Sequence, residues 1–175
     1  MCLTKKKSAP DLRRAATLLV VLLALSAADP ARAAWKAGDK LPPLAGRQLE
    51  GALPALGRQV VLLDFWASWC GPCKRSFPEL DKIQQAYRAR GFTVLAVSVD
   101  EKAGDMQKFL AAHAVSFPVV RDAGQKLVAA AGVESMPTSL LVDRRGLIRF
   151  VHVGFRGEET VKQLHAEIEQ LLNKK

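Results

Sequence analysis

Val60-Val61-Leu62-Leu63-Asp64-Phe65-Trp66-Ala67-Ser68-Trp69-Cys70-Gly71-Pro72-Cys73-Lys74 is the stretch from which the rest of the chain is read. Its first seven residues form a short apolar run interrupted by one acid, the pattern of a buried strand. Ala67-Ser68-Trp69 reads as a turn. Cys70 then stands at the mouth of a helix whose apolar face runs through Phe77, Leu80, Ile83 and Tyr87. There the first amide N–H groups of the helix, which have no partner within it, point at the Cys70 sulfur together with the positive end of the helix dipole. Both favour thiolate over thiol. Pro72 suits the first helical turn, where no N–H is needed. Cys73 follows one turn later and is expected to be the more shielded sulfur. The expected division of labour has Cys70 attack a disulfide and Cys73 resolve the mixed disulfide by attacking Cys70.

The cysteine count narrows the chemistry. The chain has 3 cysteines, and Cys2 lies in the N-terminal segment, which leaves Cys70 and Cys73. A structural staple is disfavoured because so short a loop constrains the unfolded chain little. A zinc site needs four ligands, and His113, His152 and His165 have no ligand-like spacing. Lys74 stands where a haem-attachment motif has histidine. A redox dithiol remains, with no metal and no added cofactor expected.

Outward from this core, the 175 residues carry 49% hydrophobic and 25% charged residues, which fits one folded domain rather than a disordered chain. Residues 1–33 combine a basic head (Lys5, Lys6, Lys7, Arg13, Arg14), an uncharged run from Ala15 to Ala28 and small residues around Arg32, the layout of a secretory signal. The run is short for a bilayer span, so a cleaved signal is expected ahead of an uncleaved anchor. The mature domain is then residues 34–175. Losing six basic and two acidic residues takes the net charge from +9 to +5. No nucleic-acid-binding pattern accompanies that charge.

The quoted segment resembles the active-site segment of thioredoxins, and Pro78 matches the helix-kinking proline of that family. Downstream, strands are expected over residues 93–99, 117–120, 139–142 and 147–153, with helices over 103–113 and 125–131. Val161, Leu164, Ile168 and Leu171 stripe a C-terminal helix. The extra helix and strand before Met136-Pro137, and the ending His152-Val153-Gly154-Phe155-Arg156, are similar to the TlpA/ResA/DsbE branch of exported thioredoxins, over about residues 38 to 173. The resemblance implies an α/β thioredoxin fold, a central mixed sheet flanked by helices with that inserted helix and strand.

The resemblance also implies site residues. The bond before Pro137 is expected to be cis beside the dithiol, with the Met136 backbone pairing with substrate. Gly71, Pro72 and Trp69 would shape the docking surface. Asp64 would be a buried acid near Cys73, accepting the proton of the resolving thiol. Trp66 is expected in the core by strand alternation, and His152 as a structural strand histidine. Two departures stand out: Ala96 lies near where thioredoxins carry the lysine that partners the acid, and Ser76 stands where many TlpA/ResA-like proteins carry glutamate. Glu79 lies one step past Pro78.

The function implied is that of an exported, periplasmic thiol:disulfide oxidoreductase working on protein disulfide clients. Gly71-Pro72 resembles the reducing members, so an inner-membrane electron donor of the DsbD or CcdA type is implied, with apocytochrome c as the client and a monomeric state. A disulfide oxidase, a peroxiredoxin-like peroxidase and a copper metallochaperone are the alternatives. Ala67 occupies the position where such a peroxidase wants threonine.

Overall fold

The computed structural model describes residues 34–174. The export segment read at residues 1–33 therefore lies outside the described residues, as does Lys175. Among the described residues no helix is long and apolar enough to cross a membrane.

Five strands form one mixed sheet in the order β3-β2-β1-β4-β5. β1 is Val60–Trp66, β2 Phe92–Ser98, β3 Val119–Arg121, β4 Thr138–Val142 and β5 Ile148–Val153. The helices are α1 (Gly71–Tyr87), α2 (Ala103–Ala112), α3 (Lys126–Ala131) and α4 (Glu158–Leu172). β1 pairs with β2 in parallel and with β4 antiparallel. Being central, it is buried along all seven residues. Alternation therefore does not distinguish an inner from an outer face on this strand, and Trp66 is buried because both faces are covered.

Strand parity still decides what each side chain meets. Asp64 and Trp66, two residues apart, share one face. Trp66 lies against Phe77 of α1 and Phe109 of α2, with ring centroids 4.4 and 5.0 Å away. That face is therefore the one under α1. Tyr87 of α1 meets His165 of α4 at 2.8 Å, and Arg90 forks onto Glu169, so α1 and α4 lie side by side.

Element boundaries differ from the sequence reading by a residue or two, for local reasons. β3 was expected over 117–120 and begins after Pro118, which has no N–H for the ladder but whose carbonyl accepts from Ala96 N at 3.1 Å. Because β3 is so short, the outer edge of β2 is bare before Ala96. The buried Gln84 of α1 fills part of that gap by accepting from Val94 N at 2.7 Å. Pro78 sits inside α1 with its ring exposed, and leaves the Lys74 carbonyl without its helical donor.

The segment before β1 runs along both rims of the sheet. Gly38 N donates to Ile148 O and Ile148 N to Asp39 O, at the start of β5. Further on, Glu50 and Arg121 exchange both backbone hydrogen bonds, at 2.9 and 2.8 Å, on β3.

Candidate active site

The dithiol sits where β1 hands over to α1. Cys70 caps the helix in an extended conformation (φ −80°, ψ 110°), and Cys73 N donates to its sulfur at 3.2 Å. A helical amide therefore addresses the Cys70 sulfur, as the position of the residue in the sequence implied. The two sulfurs form a disulfide, with Cα atoms 5.3 Å apart. Cys73 is fully buried and Cys70 is 5% exposed, so the order of access matches expectation, although Cys70 is more covered than a freely reachable thiol. Trp69, in contrast, is 70% exposed.

The turn before Cys70 is held from β2's end. Asp100 accepts from Ser68 N with both oxygens at 3.1 Å, from Ser68 Oγ at 2.8 Å and from Ser98 Oγ at 2.9 Å. The amino-acid sequence alone does not mark this clamp. Its only signal is an acid just past a strand end, which is common.

A groove of about 910 Å³ opens beside the disulfide, between Trp69, Cys70 and Pro72 on one wall and Glu134, Ser135 and Met136 on another. Gly71 also lines it, and the acids Glu101, Asp105 and Glu134 outnumber Lys102 there. The Met136–Pro137 bond is cis, as the resemblance implied. Pro137 O accepts from Gly154 N at 2.8 Å, and Thr138 Oγ1 donates to Ser135 O at 2.8 Å, which fixes this wall to the sheet.

Asp64 lies on the floor beneath α1, at 1% exposure. Register sets its neighbours: Ala96 is opposite on β2 and Ser139 opposite on β4. Ala96 can offer no ion pair. Ser139 Oγ donates to Asp64 Oδ1 at 2.6 Å, while Oδ2 is buried with no partner. Burial pushes the Asp64 pKa up from 3.8 to about 7, and the Ser139 bond holds it from rising further. In the sequence Ser139 marks only the start of a strand. Its signal was a hydroxyl leading the apolar run Leu140-Leu141-Val142, and only strand register reveals its partner.

The remaining candidates fall outside this centre. Ser76 is buried and spends its hydroxyl on Cys73 O at 3.0 Å. Glu79 turns to Lys82 at the surface, 2.9 Å away, so it does not stand in for the glutamate missing at Ser76. His152 pairs with Glu167 at 2.6 Å, and His113 contacts the Phe109 carbonyl at 3.1 Å. Among the described residues, no group of three or more His, Cys, Asp or Glu could hold a metal ion.

Known proteins resemble this chain in sequence and in fold. The Redoxin family model matches residues 36–168. The thiol-disulfide oxidoreductase ResA of Halalkalibacterium halodurans is 32% identical over 135 residues, 75% of this chain and 77% of that one. ResA of Geobacillus thermodenitrificans is 31% identical over 166 residues, 90% of this chain and 95% of its own. Among solved structures, a candidate DsbE thiol:disulfide interchange protein of Chlorobium tepidum superposes with a TM-score of 0.74 at 41% identity, covering 80% of this chain and 100% of that one. StoA of Bacillus subtilis superposes with a TM-score of 0.55 at 26% identity, over 62% of this chain and 84% of its own.

Proposed function

We propose, from the premise that this chain belongs to the Redoxin family and is a thiol-disulfide oxidoreductase similar to ResA, that it works outside the cytoplasm as a reductant of protein disulfides. The observation that carries the reading is the helical amide on the Cys70 sulfur next to a fully buried Cys73. It supports an attacking sulfur held as thiolate and a resolving sulfur kept from solvent.

In the reduced protein, Cys70 thiolate attacks a client disulfide. The client S–S bond breaks, a Cys70–client mixed disulfide forms, and one client sulfur leaves as thiolate. Asp64 Oδ2 takes the proton of Cys73, whose thiolate then attacks Cys70 Sγ. The second client sulfur leaves, and the two electrons have passed from the protein to the client. What remains is the Cys70–Cys73 disulfide seen here. The dithiol is its own electron carrier, so no added cofactor enters the cycle. An inner-membrane donor of the DsbD or CcdA type would restore the thiols.

The exposed Trp69, with Gly71, Pro72, Met136 and Pro137 around the groove, offers a place for an extended client segment. We assign the Met136 backbone to pairing with that segment. Apocytochrome c before haem attachment is the client this reading favours, with the protein acting as a periplasmic monomer after loss of residues 1–33.

Cys70→Ser is expected to abolish disulfide reduction, and Cys73→Ser to accumulate mixed disulfides with clients. Unchanged turnover in the Cys70 variant would overturn the mechanism. The direction is tested by the reduction potential of the pair, since a value as high as about −120 mV would make the protein an oxidant instead. Peroxide consumption would point to a peroxidase, and tight copper binding by the reduced pair to a metallochaperone.

A further inference from the structure

The buried carboxylate on the sheet floor has an unusual set of neighbours. An ionised carboxylate offers about four lone-pair sites. Asp64 has one donor, Ser139 Oγ, and that bond is short at 2.6 Å, in the range of charge-assisted O–H···O contacts. Its second oxygen has none, although buried polar atoms are nearly always partnered.

β2 presents Ala96 at the opposed position. β4 presents Ser139, and beyond it in the same row β5 presents His152, which is engaged with Glu167 of α4. From α1 the buried polar groups are Cys73, Ser76, Gln84 and Tyr87, the last engaged with His165 of α4. The Ser76 hydroxyl is spent on the Cys73 carbonyl, and the Gln84 oxygen on Val94 N. Lys74 and Arg75 are exposed on the helix surface. Among these groups, Cys73 is the buried one that carries an exchangeable proton once the disulfide is reduced and has no other assigned task.

We propose that Ser139 is a positioning residue for the exchange reaction: its hydroxyl anchors Asp64 Oδ1 and so leaves Oδ2 as the oxygen that receives the Cys73 proton. This rests on the reading of Asp64 as the proton acceptor for Cys73. The hydroxyl serves in both protonation states. It donates to Oδ1 when the carboxylate is ionised, and to the same atom as carbonyl oxygen when Oδ2 carries the proton. No group has to turn between the two. One donor is also the useful number. Two would hold the carboxylate ionised and make it a poor base, and none would keep it protonated in so dry a place. With one, both forms are populated near neutral pH, where a general acid–base group works best.

The test follows the full-length protein carrying a thionitrobenzoate mixed disulfide on Cys70, formed with an aromatic disulfide reagent. Release of thionitrobenzoate reports attack by Cys73. In the parent the rate should rise with pH through the Asp64 titration. Ser139→Ala should move the midpoint up by about one pH unit and slow release at pH 7 about five-fold, approaching about ten-fold well below the parent midpoint. Ser139→Thr, which keeps the hydroxyl, should restore both. An unmoved midpoint in Ser139→Ala, with only lower thermal stability, would overturn the proposal and leave Asp64's role intact. An Asp64→Asn variant that resolves as fast as the parent would remove the proton-acceptor reading itself. Should Ser139→Ala fail to fold, infrared spectroscopy of the parent decides. The protonated Asp64 carbonyl band should lie at the low frequency of a hydrogen-bonded acid, and a band at the free-carbonyl position would overturn the proposal.

Discussion

Two buried aspartates sit within one domain at nearly the same depth, Asp64 at 1% exposure and Asp100 at 2%, and the fold treats them in opposite ways. Asp100, at the rim where β2 ends, has both oxygens engaged by Ser68 and Ser98. Asp64, on the floor beneath α1, has one donor and one bare oxygen. Saturation makes Asp100 a fixture that pins the turn leading into Cys70. Under-saturation makes Asp64 a group that can change state. At the same depth the two acids meet different numbers of donors.

The largest effect expected is at Asp64. Asp64→Asn should slow Cys73 resolution about 100-fold, the typical worth of a positioned acid or base. It should also change how stability depends on pH. Asp64 is protonated in both folded and unfolded chains below pH 4. Between pH 4 and about 7 the unfolded chain loses its proton first, so folded stability falls as pH rises, and it levels off above 7. Asp64→Asn should remove that slope and make the protein more stable at pH 8 by on the order of 4 kcal/mol. Urea melts at pH 4.5 and pH 8 would show it, and a parent curve flat across that range would erase the distinction between the two acids.

Asp100→Ala comes next and should act in the opposite sense. It strands Ser68 N and should lower stability by about 2–3 kcal/mol, while leaving the pH midpoint of resolution where it was. A shifted midpoint would mean that the rim and the floor are one network. Glu50→Gln tests the outer part of the rim. Arg121 is nearly buried, and Glu50 grips it at 2.8 Å with a half-exposed side chain. Its guanidinium also keeps the Asp100 and Glu101 carbonyls, so the loss should be about 1 kcal/mol. Smallest of all, Lys82→Ala removes an exposed surface pair and should cost less than about 0.5 kcal/mol in chemical denaturation.

Much of this is legible in the amino-acid sequence. The apolar run before Cys70, the proline in the first helical turn and the stripe through Phe77, Leu80 and Ile83 are local patterns, and local patterns place strands and helices well. The redox pair followed from elimination among cysteine chemistries. What stayed hidden depends on long-range pairing. Ser139 meets Asp64 across 75 residues, Ser68 meets Asp100 across 32, and Arg121 meets Glu50 across 71. A serine ahead of three apolar residues looks like a strand start until register sets it against an acid. The late start of β3 was local, and Pro118 explains it.

The stretch ahead of β1 has one more consequence. β3 and β5 are the outermost strands, and bare outer strands are templates on which a second molecule can add its own. By bonding to Ile148 on one side and to Arg121 on the other, this stretch fills hydrogen-bonding positions that a neighbouring chain could otherwise take. Trimming residues 34–50 would therefore not merely shorten the protein. It would uncover two adhesive borders at once, and the shortened form should tend to grow strand by strand into polymers at concentrations where the intact domain stays dispersed.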